Sequence, residues 1–217
     1  MLILTIISVI TLFAFLAGEA NAQGSIRVAC VGDSITQYSG YPEDLQALLG
    51  KNYTVGNFGV SGSAVSPLSE KPYMKQYAFW KALNFQPDIV VIMLGTNDAN
   101  IKTYQDIENF SANYEKIINQ FQGLPGDQKI LLVNPPPILQ NDLNLTDTNL
   151  VGGVIPQIEK VANNLSLPTV NVYSALTNCS EYFGDGVHPN AEGANIIASE
   201  IGNVLVPITD DSVDVYG

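Results

Sequence analysis

The stretch from Ile89 to Leu94 reads Ile-Val-Val-Ile-Met-Leu, apolar at every position. A strand with one wet face alternates apolar and polar side chains, so an unbroken apolar run implies burial on both faces. Burial of that kind belongs to a parallel sheet, and a parallel sheet needs long crossovers that lay helices on its two faces. The rest of the chain supplies those parts. Strands are expected at Ile26–Val31, Tyr53–Phe58, Lys129–Val133 and Thr169–Val172. Helical spacing is read at Tyr41–Leu49, which stops at Gly50, and at Tyr73–Leu83. It recurs at Tyr104–Phe121, where Ile107, Phe110, Tyr114, Ile117, Ile118 and Phe121 form one stripe. Val151–Leu165 and Ala191–Val204 complete the set, while Gly59–Pro72 reads as a Gly/Ser/Pro-rich loop. The expected fold is a three-layer α/β sandwich, a parallel five-stranded sheet with helices on both faces and right-handed crossovers.

The ends of the chain read differently. Leu2–Ala17 is apolar apart from Thr5, Ser8 and Thr11, and Ala20-Asn21-Ala22 has the small-residue spacing of a signal-peptidase site. Residues 1–22 are therefore expected to be a secretory signal cleaved before Gln23, in preference to a retained membrane anchor. The remaining 195 residues suit one domain with a full core, followed by an acidic tail carrying Asp210, Asp211 and Asp214. The formal net charge of −12 argues against nucleic acid and anionic membranes as partners and suits solubility in an extracellular fluid. Five N-x-S/T sequons, at Asn52, Asn109, Asn144, Asn164 and Asn178, are candidate glycan acceptors. Two cysteines, Cys30 and Cys179, and one histidine cannot build a standard zinc cluster; a disulfide and a pair of free thiols both stay open.

Ligands of open α/β sheets bind beyond the carboxyl ends of the strands, and the residues found there carry chemistry. Gly32-Asp33-Ser34 follows the first strand, Gly59 the second, and Gly95-Thr96-Asn97-Asp98 the third. Asp185-Gly186-Val187-His188-Pro189-Asn190 precedes the last helix. A serine hydroxyl needs a base within hydrogen-bond reach to act as a nucleophile. With one histidine in the chain, an imidazole base has to be His188. Asp185, three residues earlier, is close enough for a tight turn to bring it to the ring. Ser34 and Asn97 can also be read as helix caps, and Gly59 as a turn glycine. Asp33 and Asp98 are read as holding loop backbones. Tyr73, Tyr77 and Trp80, at i, i+4 and i+7, fit a core-facing helix face as well as a sugar-binding cleft. Pro135-Pro136-Pro137 follows a strand end and could border the site.

These four segments, in this order, resemble the blocks of the GDSL/SGNH hydrolase family, over Ile26 to about Leu205. Val31-Gly32-Asp33-Ser34-Ile35-Thr36 is similar to the nucleophile block, with Ile35 in place of the leucine of the GDSL name. Asn57-Phe58-Gly59-Val60-Ser61-Gly62, Leu94-Gly95-Thr96-Asn97-Asp98 and Asp185 with His188 are similar to the remaining three. The resemblance implies a flavodoxin-like fold and a serine esterase with Ser34, His188 and Asp185 as its catalytic residues. It further implies an oxyanion hole of the Ser34 and Gly59 amides and the Asn97 side chain. The stretch Lys81–Asp98 is similar to carbohydrate and sialate acetylesterases, so a small acyl ester on a carbohydrate is the expected substrate. A lipid ester or thioester is the second expectation, and a sugar-binding module without catalysis the third. No metal or cofactor is required by such a mechanism, and none is expected. Turnover should rise as the imidazole loses its proton.

Overall fold

The computed structural model describes residues 24–210; the expected signal, residues 1–22, and the tail residues Asp211 and Asp214 lie outside them. Five strands, β1 (Ile26–Gly32), β2 (Tyr53–Gly59), β3 (Ile89–Met93), β4 (Lys129–Asn134) and β5 (Thr169–Asn171), form one parallel sheet in the order β2-β1-β3-β4-β5. The chain leaves β1 outward to β2 and then crosses back to β3, so the winding direction reverses at β1. A crevice opens at such a reversal, at the carboxyl ends of the two strands. The register aligns Gly32 of β1 with Gly59 of β2 and with Met93 of β3, so the segments that follow these strands start level.

Helices on the two faces of the sheet include α1 (Ser34–Tyr38), α2 (Tyr41–Leu49), α3 (Tyr77–Asn84), α4 (Phe110–Gln122), α5 (Ile155–Leu165), α6 (Val172–Leu176) and α7 (Ala191–Asp210). Successive strand side chains point to opposite faces, and the apolar run at 89–93 feeds two cores. Val90 and Ile92 pack with Phe79, Phe110, Ile117 and Ile158 beneath α3, α4 and α5. Ile89, Val91 and Met93 pack with Leu45, Leu176, Ile197 and Ile201 beneath α2, α6 and α7. These are the expected three layers.

Tertiary contacts redraw several expected elements. The stretch read as one helix from Tyr73 is a 3-10 turn at Tyr73–Lys75, an extended Gln76 (φ −84°, ψ 148°), and then α3. The cause is Tyr73, whose buried hydroxyl donates to the Phe58 carbonyl at 2.6 Å and pulls that turn into the core. Tyr73, Tyr77 and Trp80 therefore share no face: Tyr73 is buried, and Tyr77 and Trp80 are 78% and 54% exposed. The first part of the Tyr104–Phe121 segment is also 3-10, over Thr103–Asn109. Ahead of α5, Leu150–Val154 is π-helical, where Gly152 and Gly153 weaken regular winding. After β5, the Asn171 side chain accepts from the Ser174 N–H and starts α6, so Val172 is helical.

Cys30 and Cys179 are free thiols, and burial in β1 pushes the Cys30 thiol up to about 12. All five sequon asparagines are exposed. Among the described residues no helix is long and apolar enough to cross a membrane.

Candidate active site

Ser34 sits where β1 turns abruptly into α1. Asp33 caps that helix, its Oδ1 accepting the Ile35 N–H at 3.0 Å. Gly32 is demanded by the turn, since a Cβ there would overlap the Thr36 side chain and the Met93 carbonyl. As the first residue of a helix, Ser34 has an N–H with no carbonyl one turn earlier to bond. Its side chain, 7% exposed, lies on the floor of a cleft of about 990 Å³.

His188 reaches the same point from the loop before α7. The Ser34 hydroxyl is 2.8 Å from His188 Nε2, and His188 Nδ1 is 2.6 Å from Asp185 Oδ2. With Nδ1–H donating to the carboxylate, Nε2 is free to accept from the serine. Oδ1 of the same carboxylate accepts the N–H groups of Val187 (3.0 Å) and His188 (2.8 Å), so Asp185 holds both ring and backbone. Burial raises the Asp185 carboxyl, but the His188 and Val187 contacts outweigh it and hold the group at about 2. Gly186 (φ 81°) makes this turn practicable: a Cβ would overlap the Gln140 carbonyl, and the Gly186 carbonyl accepts from the Leu139 N–H at 2.7 Å. Pro135, Pro136 and Pro137 are buried and do not line the cleft.

Asn97 faces the cleft, and one hydrogen of its amide is committed to the Ser63 carbonyl at 3.0 Å, leaving the other. Asp98 is buried, and its two oxygens accept from Val65 and Ser66, each at 2.9 Å, so it ties the 63–66 loop to the end of β3. Burial pushes its carboxyl up to about 7 against the pull of those two N–H groups.

Gly59 is placed differently from the other expected site residues. Its N–H donates to Asn57 Oδ1 at 3.1 Å, and a Cβ there would overlap the backbone of Asp33 and Gln37. It packs β2 against α1 and does not line the cleft. Gly62 does, beside Ser34, Asn97 and His188. It has the positive φ (77°), and its N–H has no hydrogen-bond partner among the described residues. The repeated glycine in Gly59-Val60-Ser61-Gly62 was the available signal, but which of the two bends into the cleft depends on how the loop packs. Sequence reasoning also missed the cleft walls, which come from 100–106 and 143–145.

Comparisons with known proteins bear on the family and the fold. Residues 30–196 match the GDSL-like Lipase/Acylhydrolase family. The chain is 33% identical over 208 residues to an acetylxylan esterase of Xylanibacter ruminicola, covering 84% of this chain and 43% of that protein. It is 25% identical to a multidomain esterase of Ruminococcus flavefaciens over 74% of this chain and 19% of that one. The chain thus spans less than half the length of these curated relatives. Among solved structures, the aryl esterase of M. smegmatis superposes with a TM-score of 0.71 at 16% identity, covering 84% of this chain and 99% of that one. With a family match that runs from β1 into α7 and takes in all four motif segments, the chain belongs to the GDSL-like lipase/acylhydrolase family.

Proposed function

We propose that the protein is a carboxylic ester hydrolase that removes small acyl groups, acetyl foremost, from a carbohydrate through an acyl-enzyme. The observation that carries this reading is the hydrogen-bonded line from Ser34 Oγ to His188 Nε2 (2.8 Å) and from His188 Nδ1 to Asp185 (2.6 Å), opening on the cleft. Ser34 Oγ attacks the acyl carbon and its proton passes to His188 Nε2. The carbonyl oxygen becomes an oxyanion held by the amides of Ser34 and Gly62 and by the free hydrogen of the Asn97 amide. Gly62 takes the place in this set that the family resemblance gave to Gly59. Collapse expels the alcohol, which receives the proton from His188. A water then attacks the acyl-Ser34 ester, giving its proton to His188; the acyl–Oγ bond breaks, His188 returns the proton to Ser34 Oγ, and the carboxylic acid leaves.

The carbohydrate assignment draws on the acetylxylan esterase relative and on the cleft walls. Asn100, Gln105, Asp106 and Asn144 present hydrogen-bonding groups suited to a polyhydroxylated alcohol. A cleft of about 990 Å³ is far larger than an acetyl group, so most of it serves the alcohol side. One observation favours a longer acyl chain instead: Leu68, Ile101 and Leu143, at 78%, 56% and 50% exposure, stand together around this cleft.

Hydrolysis of p-nitrophenyl acetate and octanoate by the full chain and by Ser34→Ala tests the proposal. The expected result is acetate turnover that disappears in the variant while the melting temperature is unchanged. Faster turnover of octanoate would favour the lipid-ester reading. Near-native activity in Ser34→Ala would overturn the mechanism.

A further inference from the structure

We infer that Lys71 is a positioning residue that polarises the Ser61–Gly62 peptide and so strengthens the Gly62 N–H as an oxyanion donor. The inference rests on the esterase reading above and extends it to a residue outside the motif segments. The Lys71 ammonium donates to the Ser61 carbonyl at 3.2 Å. That carbonyl and the Gly62 N–H belong to one planar amide. A cation drawing on the oxygen withdraws density through the C–N bond and makes the N–H a stronger donor, as hydrogen bonds in a chain polarise one another.

Three observations make this more than a loose surface contact. First, among the described residues Lys71 forms no ion pair with a carboxylate, so its charge is not neutralised where it sits. Second, its stem lies over the loop: Lys71 Cδ and Nζ are 3.6 Å and 3.8 Å from where a Gly62 Cβ would stand. Third, the residue it touches is held from the other side, through the peptide that precedes it. The Ser61 N–H donates to Gln37 Oε1 at 2.6 Å, and Gln37 belongs to α1, the helix that carries Ser34. The Lys71 carbonyl also accepts the Ala64 N–H at 3.0 Å, which holds the two ends of the loop together. The loop is thus gripped by a neutral acceptor from the nucleophile helix and by a cation from its own far end. The cation's field acts on the oxyanion, which forms only during reaction, and much less on the neutral ester.

The test uses the full chain, p-nitrophenyl acetate, and the variants Lys71→Met, Lys71→Arg and Ser34→Ala. Lys71→Met keeps an unbranched stem and removes the charge. Its kcat is expected to fall about tenfold with little change in KM, less than the roughly 10²–10³ lost when a whole oxyanion donor is removed. Lys71→Arg, which keeps a cation within reach, is expected to recover most of the loss. The Ki of methylboronic acid, whose serine adduct carries the tetrahedral oxyanion, should weaken in Lys71→Met by the same factor as kcat. A Lys71→Met protein with native kcat, or one whose defect is not relieved in Lys71→Arg, overturns the role of Lys71 while leaving the esterase intact. Absence of Ser34-dependent turnover in the unmodified chain would remove the esterase reading and this one with it.

Discussion

Asp185 makes three hydrogen bonds with one carboxylate although its side chain is 56% exposed. The two backbone contacts fold the loop into the turn that presents His188, and the third fixes the ring with Nε2 toward Ser34. With its carboxyl held at about 2, Asp185 is ionised over the whole range in which the fold is expected to persist. Its stabilising contribution is complete above the ordinary value of 3.8 and is lost only as pH falls through about 2. Exposure to solvent keeps that contribution small. The catalytic consequence is larger. Asp185→Asn is expected to lower kcat by roughly 10²–10⁴-fold, because an amide can turn its NH₂ to the ring and select the wrong tautomer. Steady-state kinetics on p-nitrophenyl acetate measure this, and a loss below fivefold would make Asp185 a loop fastener only. A linear reading of the motifs found Ser34, Asp185 and His188, because Ser34 follows a strand end, His188 is the chain's one histidine and Asp185 stands three residues before it. It named Gly59 without weighing Gly62, and two glycines three positions apart are chemically identical until the loop is folded.

The short helix α1 shows what an element costs when it must present the proposed nucleophile. Asp33 caps it from a fully buried position. Burial pushes the carboxyl up to about 6, although the Ile35 N–H and the Thr96 hydroxyl pull the other way. Between the ordinary value of 3.8 and about 6 the folded chain therefore binds more protons at this site than the unfolded chain does. By linkage, this group's contribution to stability falls as pH rises through that window. Asp33→Asn keeps a capping oxygen for the Ile35 N–H and removes the charge. Melting temperatures measured from pH 4 to pH 8 are expected to decline less in Asp33→Asn than in the unmodified chain, leaving the variant a few degrees more stable at neutral pH. Parallel declines would show that Asp33 does not contribute to the slope. At this scale β3 was plain in the sequence, since a run apolar on both faces has few other uses. The break at Gln76 was not, because it answers to the hydroxyl of Tyr73 meeting the Phe58 carbonyl, a contact between residues 15 positions apart.

Taken whole, the molecule carries a formal net charge of −12, and the cleft itself includes Glu70 and Asp106 against Lys102. An anionic ester approaches this surface against its field, whereas a neutral acetyl ester does not. Raising ionic strength from about 10 mM to about 150 mM shortens the Debye length from about 30 Å to about 8 Å. Over that range kcat/KM for p-nitrophenyl succinate is expected to rise several-fold, while that for p-nitrophenyl acetate stays level. An equal response of the two esters would show that the net charge does not reach the site.

The primary structure alone determined the layer architecture, the family resemblance and the proposed set of serine, histidine and aspartate. Each was written in local terms: unbroken apolar runs, helical spacing, and reactive residue types just beyond the strands or just before the last helix. Only the tertiary structure decided that Gly62 enters the cleft and Gly59 does not, that Tyr73 parts company with Tyr77 and Trp80, and that Lys71 rests on the peptide before Gly62. Those outcomes depend on which backbone groups meet across 10 to 30 residues of intervening chain. Residue type and periodicity do not encode that distance.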